Sequence, residues 1–220
     1  MKVGIARITG KFARRLTLKS SSHLELIQGD AFDKEAIAKF AEGLDVLVCC
    51  YLGGDELMVN GQKLLIDACE AANVPRYVAS DWALDYTKLK LGELFPKDPM
   101  IHVKAYLDKR KSVEGVHVLI GGFVEPIFSP FFNIVDVQTN TIRYWGEGNE
   151  VIEGTTYDDV AKYTAKVVLD KDAKEIAKSY EEVYGVPATL EKRGSLDDLY
   201  KTMHEMRAKD PQNIYSYMSL

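Results

Sequence analysis

Leu44-Asp45-Val46-Leu47-Val48-Cys49-Cys50 is the stretch that decides the fold. Only Asp45 interrupts its apolar character, and a run so uniform fits a strand covered on both faces, as in a parallel sheet sandwiched between helices. On its amino side, Asp33 caps a helical pattern that passes through Ile37 and Phe40 and is closed by Gly43. On its carboxyl side, residues 58–72 are helical in pattern, with Leu65, Ala68, Cys69 and Ala72 on one face. Further out, 3–6, 23–27, 76–80 and 116–120 are read as strands, and about 99–113 as a helix. Short apolar strands alternating with helices predict an α/β fold with a doubly wound parallel sheet, of the Rossmann type.

Past Gly121 the organisation changes. Residues 123–132 are aromatic and broken by Pro126 and Pro130, and 141–145 read as a strand running into a Gly146-Glu147-Gly148-Asn149 turn. Helical patterns follow at 158–169, 174–184 and 196–207. The expected division is a dinucleotide-binding core over 1–122 and a small substrate lobe with returning helices over 123–220.

Composition narrows the function classes. With 220 residues, 46% of them hydrophobic, the chain can bury a sizeable core. No apolar run approaches the ~20 residues that cross a bilayer, and Arg7 and Lys11 follow too soon for a signal-peptide core. The expectation is a soluble cytoplasmic protein without membrane contact. A net charge of −5 disfavours a nucleic-acid surface. Arg14 and Arg15, and Lys109 to Lys111, read as solvated helix faces. Cys49, Cys50 and Cys69 lack metal-ligand spacing and are expected as buried free thiols, with no metal site.

The opening strand turns through Arg7-Ile8-Thr9-Gly10-Lys11-Phe12-Ala13 into a helix. A helix start offers backbone N–H groups and a positive dipole end to a diphosphate, and Gly10 has no Cβ to hold it off. The outer positions of the usual glycine pattern are here Arg7 and Ala13. Ala13 still permits close packing, whereas Arg7 is strained if its position needs a positive φ. An ordinary strand-loop-helix with one glycine fits the segment about as well. Ser80, Asp81 and Trp82 follow a strand's carboxyl end, where doubly wound folds bind ligands.

The order of segments resembles the NmrA-like and isoflavone-reductase-like branch of the atypical short-chain dehydrogenases. The residues carrying the likeness are Thr9-Gly10, Gln28-Gly29-Asp30, the run Gly43 to Val48, the run Asn73 to Asp81, Lys104 ahead of Val113-Glu114-Gly115-Val116, and Gly121-Gly122-Phe123. They extend from the first strand to about Leu169.

The resemblance implies an NADP(H)-dependent reductase that transfers hydride to a small aromatic or conjugated carbonyl substrate, with NAD(H) left open. It places Lys104 as the proton donor or polariser; without the resemblance, a surface lysine is the better reading. Cofactor contacts fall on Arg7, Thr9, Gly10, Lys11 and Phe12, on Asp30 beside the adenine, and on Tyr51, Ser80, Lys104 and Phe123. Arg7, Lys11 and Arg14 supply the positive charge that favours NADP(H), with Arg7 as a phosphate clamp. Trp82, Tyr86 and Phe123 would wall the substrate, core filling being the equal alternative. His102 reads as solvated.

The Tyr-x-x-x-Lys pair of short-chain enzymes is absent, since Tyr106 is followed at that spacing by Arg110. That absence suits a second reading, a redox sensor that passes the NADP(H) balance to a regulatory partner. The resemblance also implies missing segments. Only Thr17 to Ser22 stands where the family has a longer helix, a strand and a basic loop; a second shortage falls near 173–174, and 217–220 reads as a cut end. Oligomeric state is left open.

Overall fold

β1 (Val3–Ala6) runs parallel to β2 (Val46–Cys49) in the computed structural model, with Val3 level with Val46 and Ala6 with Cys49. The structure describes residues 1–20, 24–169, 175–177, 189–213 and 216–217. β3 (Arg76–Val78), β4 (Glu114–Leu119) and β9 (Glu175–Ala177) extend the sheet in the order β1-β2-β3-β4-β9, every pair parallel. The expected doubly wound parallel sheet is present. All four residues of β2 are buried, as their apolar run predicts.

Helices cover both faces. α1 (Lys11–Ser20) packs on α6 (Tyr157–Leu169), while α2 (Lys34–Ala41), α3 (Gln62–Ala71) and α4 (Asp98–Leu107) pack in succession. Adjacent residues of β3 show that these layers lie on opposite sides of the sheet, because successive strand side chains alternate. Arg76 donates to the Val167 and Val168 carbonyls at the end of α6, and Tyr77 donates to Gln62 of α3. Asp33 caps α2 by accepting from the Glu35 and Ala36 N–H groups, at 3.0 and 3.1 Å. The helical pattern over 58–72 is realised in two parts, a π-helical turn at Glu56–Gly61 leading into α3.

Four expectations need correction. Leu24–Ile27 forms no strand, for among the described residues no strand lies alongside to complete its backbone hydrogen bonds; His23 lies outside the described residues. α4 stops at Leu107 rather than near 113. Glu175–Ala177 is β9 rather than the start of a helix, and it pairs the open edge of β4; 178–184 lie outside the described residues. Arg110 is no solvated cation: it pairs with Asp67 at 2.7 Å and Glu70 at 3.2 Å and lies over the Tyr106 ring. The expected shortages at 17–22 and 173–174 touch residues 21–23 and 173–174, which lie outside the described residues, as do 218–220.

The chain divides into two units, 1–120 with 157–178, and 121–156 with 179–220. α6, placed by sequence in the 123–220 segment, belongs with the first unit because it covers α1. In the second unit, β5 (Gly122–Phe123) pairs with β8 (Gly154–Thr155), and a short turn, α5 (Val124–Ile127), follows β5. β6 (Val135–Asp136), β7 (Thr141–Trp145) and β10 (Thr189–Gly194) form a small sheet. α7 (Leu196–Lys209) starts from a Ser195–Asp198 capping box.

Gly121 shows why that glycine is needed. Its φ is +72°, and an added Cβ would run into the Glu153 backbone carbonyl, whereas Gly43 at φ +66° has open space around it. Gly43→Ala is therefore expected to cost about 1 kcal/mol, and Gly121→Ala at least about 2 kcal/mol, because backbone must move as well. Equal shifts of the urea midpoint for the two variants would refute the steric part.

Candidate active site

The carboxyl ends of β1, β2 and β3 are tied together by side chains that reach backbone carbonyls. Arg7 follows β1 in the left-handed region at φ +63°, the conformation that strains a non-glycine residue, and its guanidinium donates to the Leu52 carbonyl after β2. Ser80 Oγ donates to the Tyr51 carbonyl at 2.6 Å, and the Ser80 N–H donates to Gln62 Oε1 at 3.0 Å. The same Gln62 oxygen accepts from the Tyr77 hydroxyl, and its amide donates to Met58 O at 2.8 Å. Arg7, Tyr51 and Ser80, far apart in sequence, thereby share one rim.

The turn itself is open above Gly10. An added Cβ would meet nothing nearer than the Arg7 carbonyl oxygen at 4.0 Å. Thr9 and Lys11 are exposed, and the first bond of the helix runs from the Arg14 N–H to Gly10 O at 3.0 Å. α1 has no acidic residue in its first turn, yet Lys11, Arg14 and Arg15 crowd its positive end, an arrangement that an anion would relieve. Arg15 is engaged with Asp158 at 3.1 Å; the exposed Lys11 and Arg14 side chains make no ion pair or hydrogen bond among the described residues. Gly10, Lys11 and Arg14 thus fit a diphosphate.

Phe12, Trp82 and Tyr86 are buried. Phe12 and Trp82 stack with centroids 4.7 Å apart, and Trp82 Nε1 donates to Thr164 of α6 at 3.1 Å, which makes the tryptophan a core anchor beneath the turn. Tyr86 donates to Asp81 Oδ2 at 3.0 Å. His117 Nδ1 lies 2.6 Å from the same oxygen, and all three side chains are closed to solvent. Lys97 is near enough for Asp81 to favour its charge, but burial dominates and holds its ammonium below the ordinary lysine value. Sequence reading named Asp81 only by its position and missed His117 and Lys97. A histidine in an apolar strand, Val116-His117-Val118, was the available signal.

Lys104 sits on α4, paired with Asp108 at 3.2 Å and with about a quarter of its side chain exposed. It lines a small cleft of about 160 Å³ with Tyr86, Thr87, Leu89 and Ile101. His102 is exposed, as expected. Tyr106 is held by Asp67 at 2.7 Å. Asp30 is exposed but close enough to Tyr51 to act on its hydroxyl, whose pKa is raised mainly by burial, then by Cys49 and Asp30. Phe123 is half-buried in β5 of the second unit. Cys49 and Cys69 are buried free thiols, each pushed up to about 12 by burial. None of the described helices is long and apolar enough to cross a membrane.

Comparison with known proteins agrees with this geometry. A family model described as NAD(P)H-binding matches residues 8–117, half of the chain. An isoflavone reductase of Cicer arietinum is 26% identical over 152 residues, 66% of this chain and 46% of that protein. An NmrA-like family domain-containing oxidoreductase of Gibberella moniliformis is 24% identical over 135 residues, 61% of this chain and 44% of that protein. The chain spans about half the length of the curated relatives it matches. Among solved structures, an isoflavone reductase superposes with a TM-score of 0.73 at 17% identity, covering 99% of this chain and 86% of that one. The leucoanthocyanidin reductase–NADPH complex from Vitis vinifera gives 0.74 at 17% identity, covering 100% and 85%. At such identities the superpositions carry the fold alone, whereas the family match covers residues 8–117 of the sequence itself. The chain belongs to the NAD(P)H-binding family, among its NmrA-like and isoflavone-reductase-like members.

Proposed function

We propose that the chain binds NADP(H) over the β1–α1 turn and reduces a small aromatic or conjugated carbonyl substrate. One observation carries the reading: Gly10 has open space where a Cβ would go, so packing within the chain does not require a glycine there. A ligand that must approach the backbone does. Lys11 and Arg14 would neutralise its phosphates, and the first-turn N–H groups of α1 would bond them. Arg7, already fastened to Leu52, serves to shape the turn rather than to clamp a phosphate. Ser80 would hold the rim beside the nicotinamide end.

Reduced nicotinamide, when bound, supplies a hydride to the carbonyl carbon. The developing negative charge on the carbonyl oxygen is met by the Lys104 ammonium, which gives up the proton that completes the alcohol. Asp108 orients that ammonium until a substrate competes for it.

Gly10→Val tests the cofactor half. Its urea midpoint is expected to stay at the wild-type value, while the calorimetric affinity for NADPH falls about tenfold or more, since a side chain then occupies the phosphate's approach. Undiminished affinity would remove the turn from the site.

A second reading, a redox sensor without turnover, is favoured by the burial of Trp82, whose indole packs on Phe12 and bonds Thr164 and so is not an aromatic wall for a substrate. A sensor binds NADPH and NADP+ with different affinities and oxidises no NADPH across a panel of aromatic carbonyls.

A further inference from the structure

Ile101, Lys104 and Ala105 share one face of α4, at the i, i+3 and i+4 positions that put side chains beside one another, and all three line the Lys104 cleft. The turn from Tyr86 to Leu89 supplies its other wall, closed by the Leu89 N–H donating to the Tyr86 carbonyl at 3.0 Å. Exposure orders these residues by depth. Tyr86 is 1% exposed, Leu89 and Ile101 are half-buried against the apolar cluster that holds it, and Thr87 and Asp108 are exposed. The cleft is therefore apolar at its base and charged at its mouth.

That base is held in place. The Tyr86 hydroxyl donates to Asp81 Oδ2 at 3.0 Å and lies 3.0 Å from His117 Nδ1, while Ala83, Met100 and Leu119 pack in the same cluster as its ring. Asp81 follows Ser80, whose hydroxyl is bound to the Tyr51 carbonyl, so adjacent residues join the cleft to the rim of the sheet. A cleft fixed in this way selects by size. An apolar cavity of about 150 Å³ holds one benzene, and two fused rings need about 250 Å³ at the same density. The cleft, at about 160 Å³, has room for one ring.

We infer that the Lys104 cleft selects a neutral carbonyl compound whose carbonyl is carried directly on a single six-membered ring, with Leu89 and Ile101 setting the size limit; this rests on the reading of Lys104 as proton donor. The ring enters ahead of the carbonyl, because the base is apolar and the ammonium stands nearer the mouth. Ile101 is one helical turn from Lys104, about 5–6 Å between Cβ atoms, so a ring seated against Ile101 brings a directly attached carbonyl oxygen to the ammonium. A spacer between ring and carbonyl carries the oxygen past it. Asp108, 3.2 Å from Lys104, balances that charge, so the mouth offers no surplus cation to a carboxylate on the ring. A substituent on the far side of the carbonyl points out of the cleft and is not limited by it.

Acetophenone and 2-acetonaphthone, which differ by one fused ring, test it on the full chain by two independent readouts. The first is the methyl NMR signals of Leu89 and Ile101, which a bound ring shifts whether or not any reaction follows. Acetophenone is expected to move both, and 2-acetonaphthone to need at least about tenfold more ligand for the same response. The second is NADPH oxidation, where kcat/KM is expected to show the same preference. Ile101→Ala, checked for folding by circular dichroism, is expected to bring the two ketones within about twofold of each other and to leave NADPH affinity unchanged. Leu89→Ala provides the same comparison from the opposite wall. Equal responses to both ketones in the wild-type chain, or methyl signals that respond to neither, overturn the inference. Selective methyl shifts without NADPH oxidation support the single-ring site and overturn the reductase reading alone, whereas oxidation with equal kcat/KM for both ketones does the reverse.

Discussion

Lys104→Ala is expected to lower kcat by about 10²–10⁴-fold, the usual range for a positioned proton donor, and to leave NADPH affinity unchanged. The asymmetry follows from where the side chain stands. Lys104 is on α4, held by Asp108, and lines the small cleft with Tyr86 and Thr87, whereas the groups proposed to hold the phosphates are on the β1 turn and α1. Losing it should remove a contact that strengthens only as charge builds on the substrate oxygen. Lys104→Arg keeps the positive charge but holds its proton too tightly to release it, so it is expected to recover little of the rate. Full activity in Lys104→Ala would falsify the mechanism. A parallel loss of cofactor affinity would mean instead that the lysine is a cofactor contact.

Asp81→Ala is expected to destabilise the first unit by about 3 kcal/mol, among the larger effects a single substitution produces. The carboxylate accepts from Tyr86 and lies 2.6 Å from His117 Nδ1, with 1% of its side chain exposed. Removing it takes away the acceptor that two buried groups share, and leaves the Tyr86 hydroxyl and His117 Nδ1, 3.0 Å apart, only each other as partners. The change should appear as a lower urea midpoint at an unchanged slope. Asp81→Asn, which keeps an oxygen for Tyr86, should lose less. A shift below about 0.5 kcal/mol for the alanine variant would mean that the cluster contributes nothing beyond packing.

Which residues the sequence revealed follows from the range of the interactions involved. Asp33 as a cap, Gly43 as a helix stop and the buried run of β2 depend on neighbours within a few residues, and each appears as expected. The strain at Arg7 was also legible, because a glycine pattern with an arginine in it asks a local backbone question, and φ +63° answers it. Trp82 and Tyr86 were not decidable. A large aromatic with a polar tip suits a substrate wall and a core anchor alike, and the partners that hold the two tips, Thr164 and Asp81, are 82 and 5 residues away. The segment 24–27 failed for the converse reason: it has strand composition, but a strand exists only with a neighbour to pair with.

By itself, the sequence determined the alternation of elements, the parallel class of the sheet and the strand-turn-helix around Gly10, because hydrophobic period, caps and turn residues act over a few bonds. Only the tertiary structure decided that β1 is the edge strand among the described residues, that α6 returns to cover α1, and that Asp81, Tyr86 and His117 form one buried cluster. Those outcomes depend on which distant segments come to share a surface, and the energy of a buried polar contact or an unpaired edge is set by that sharing rather than by either segment alone.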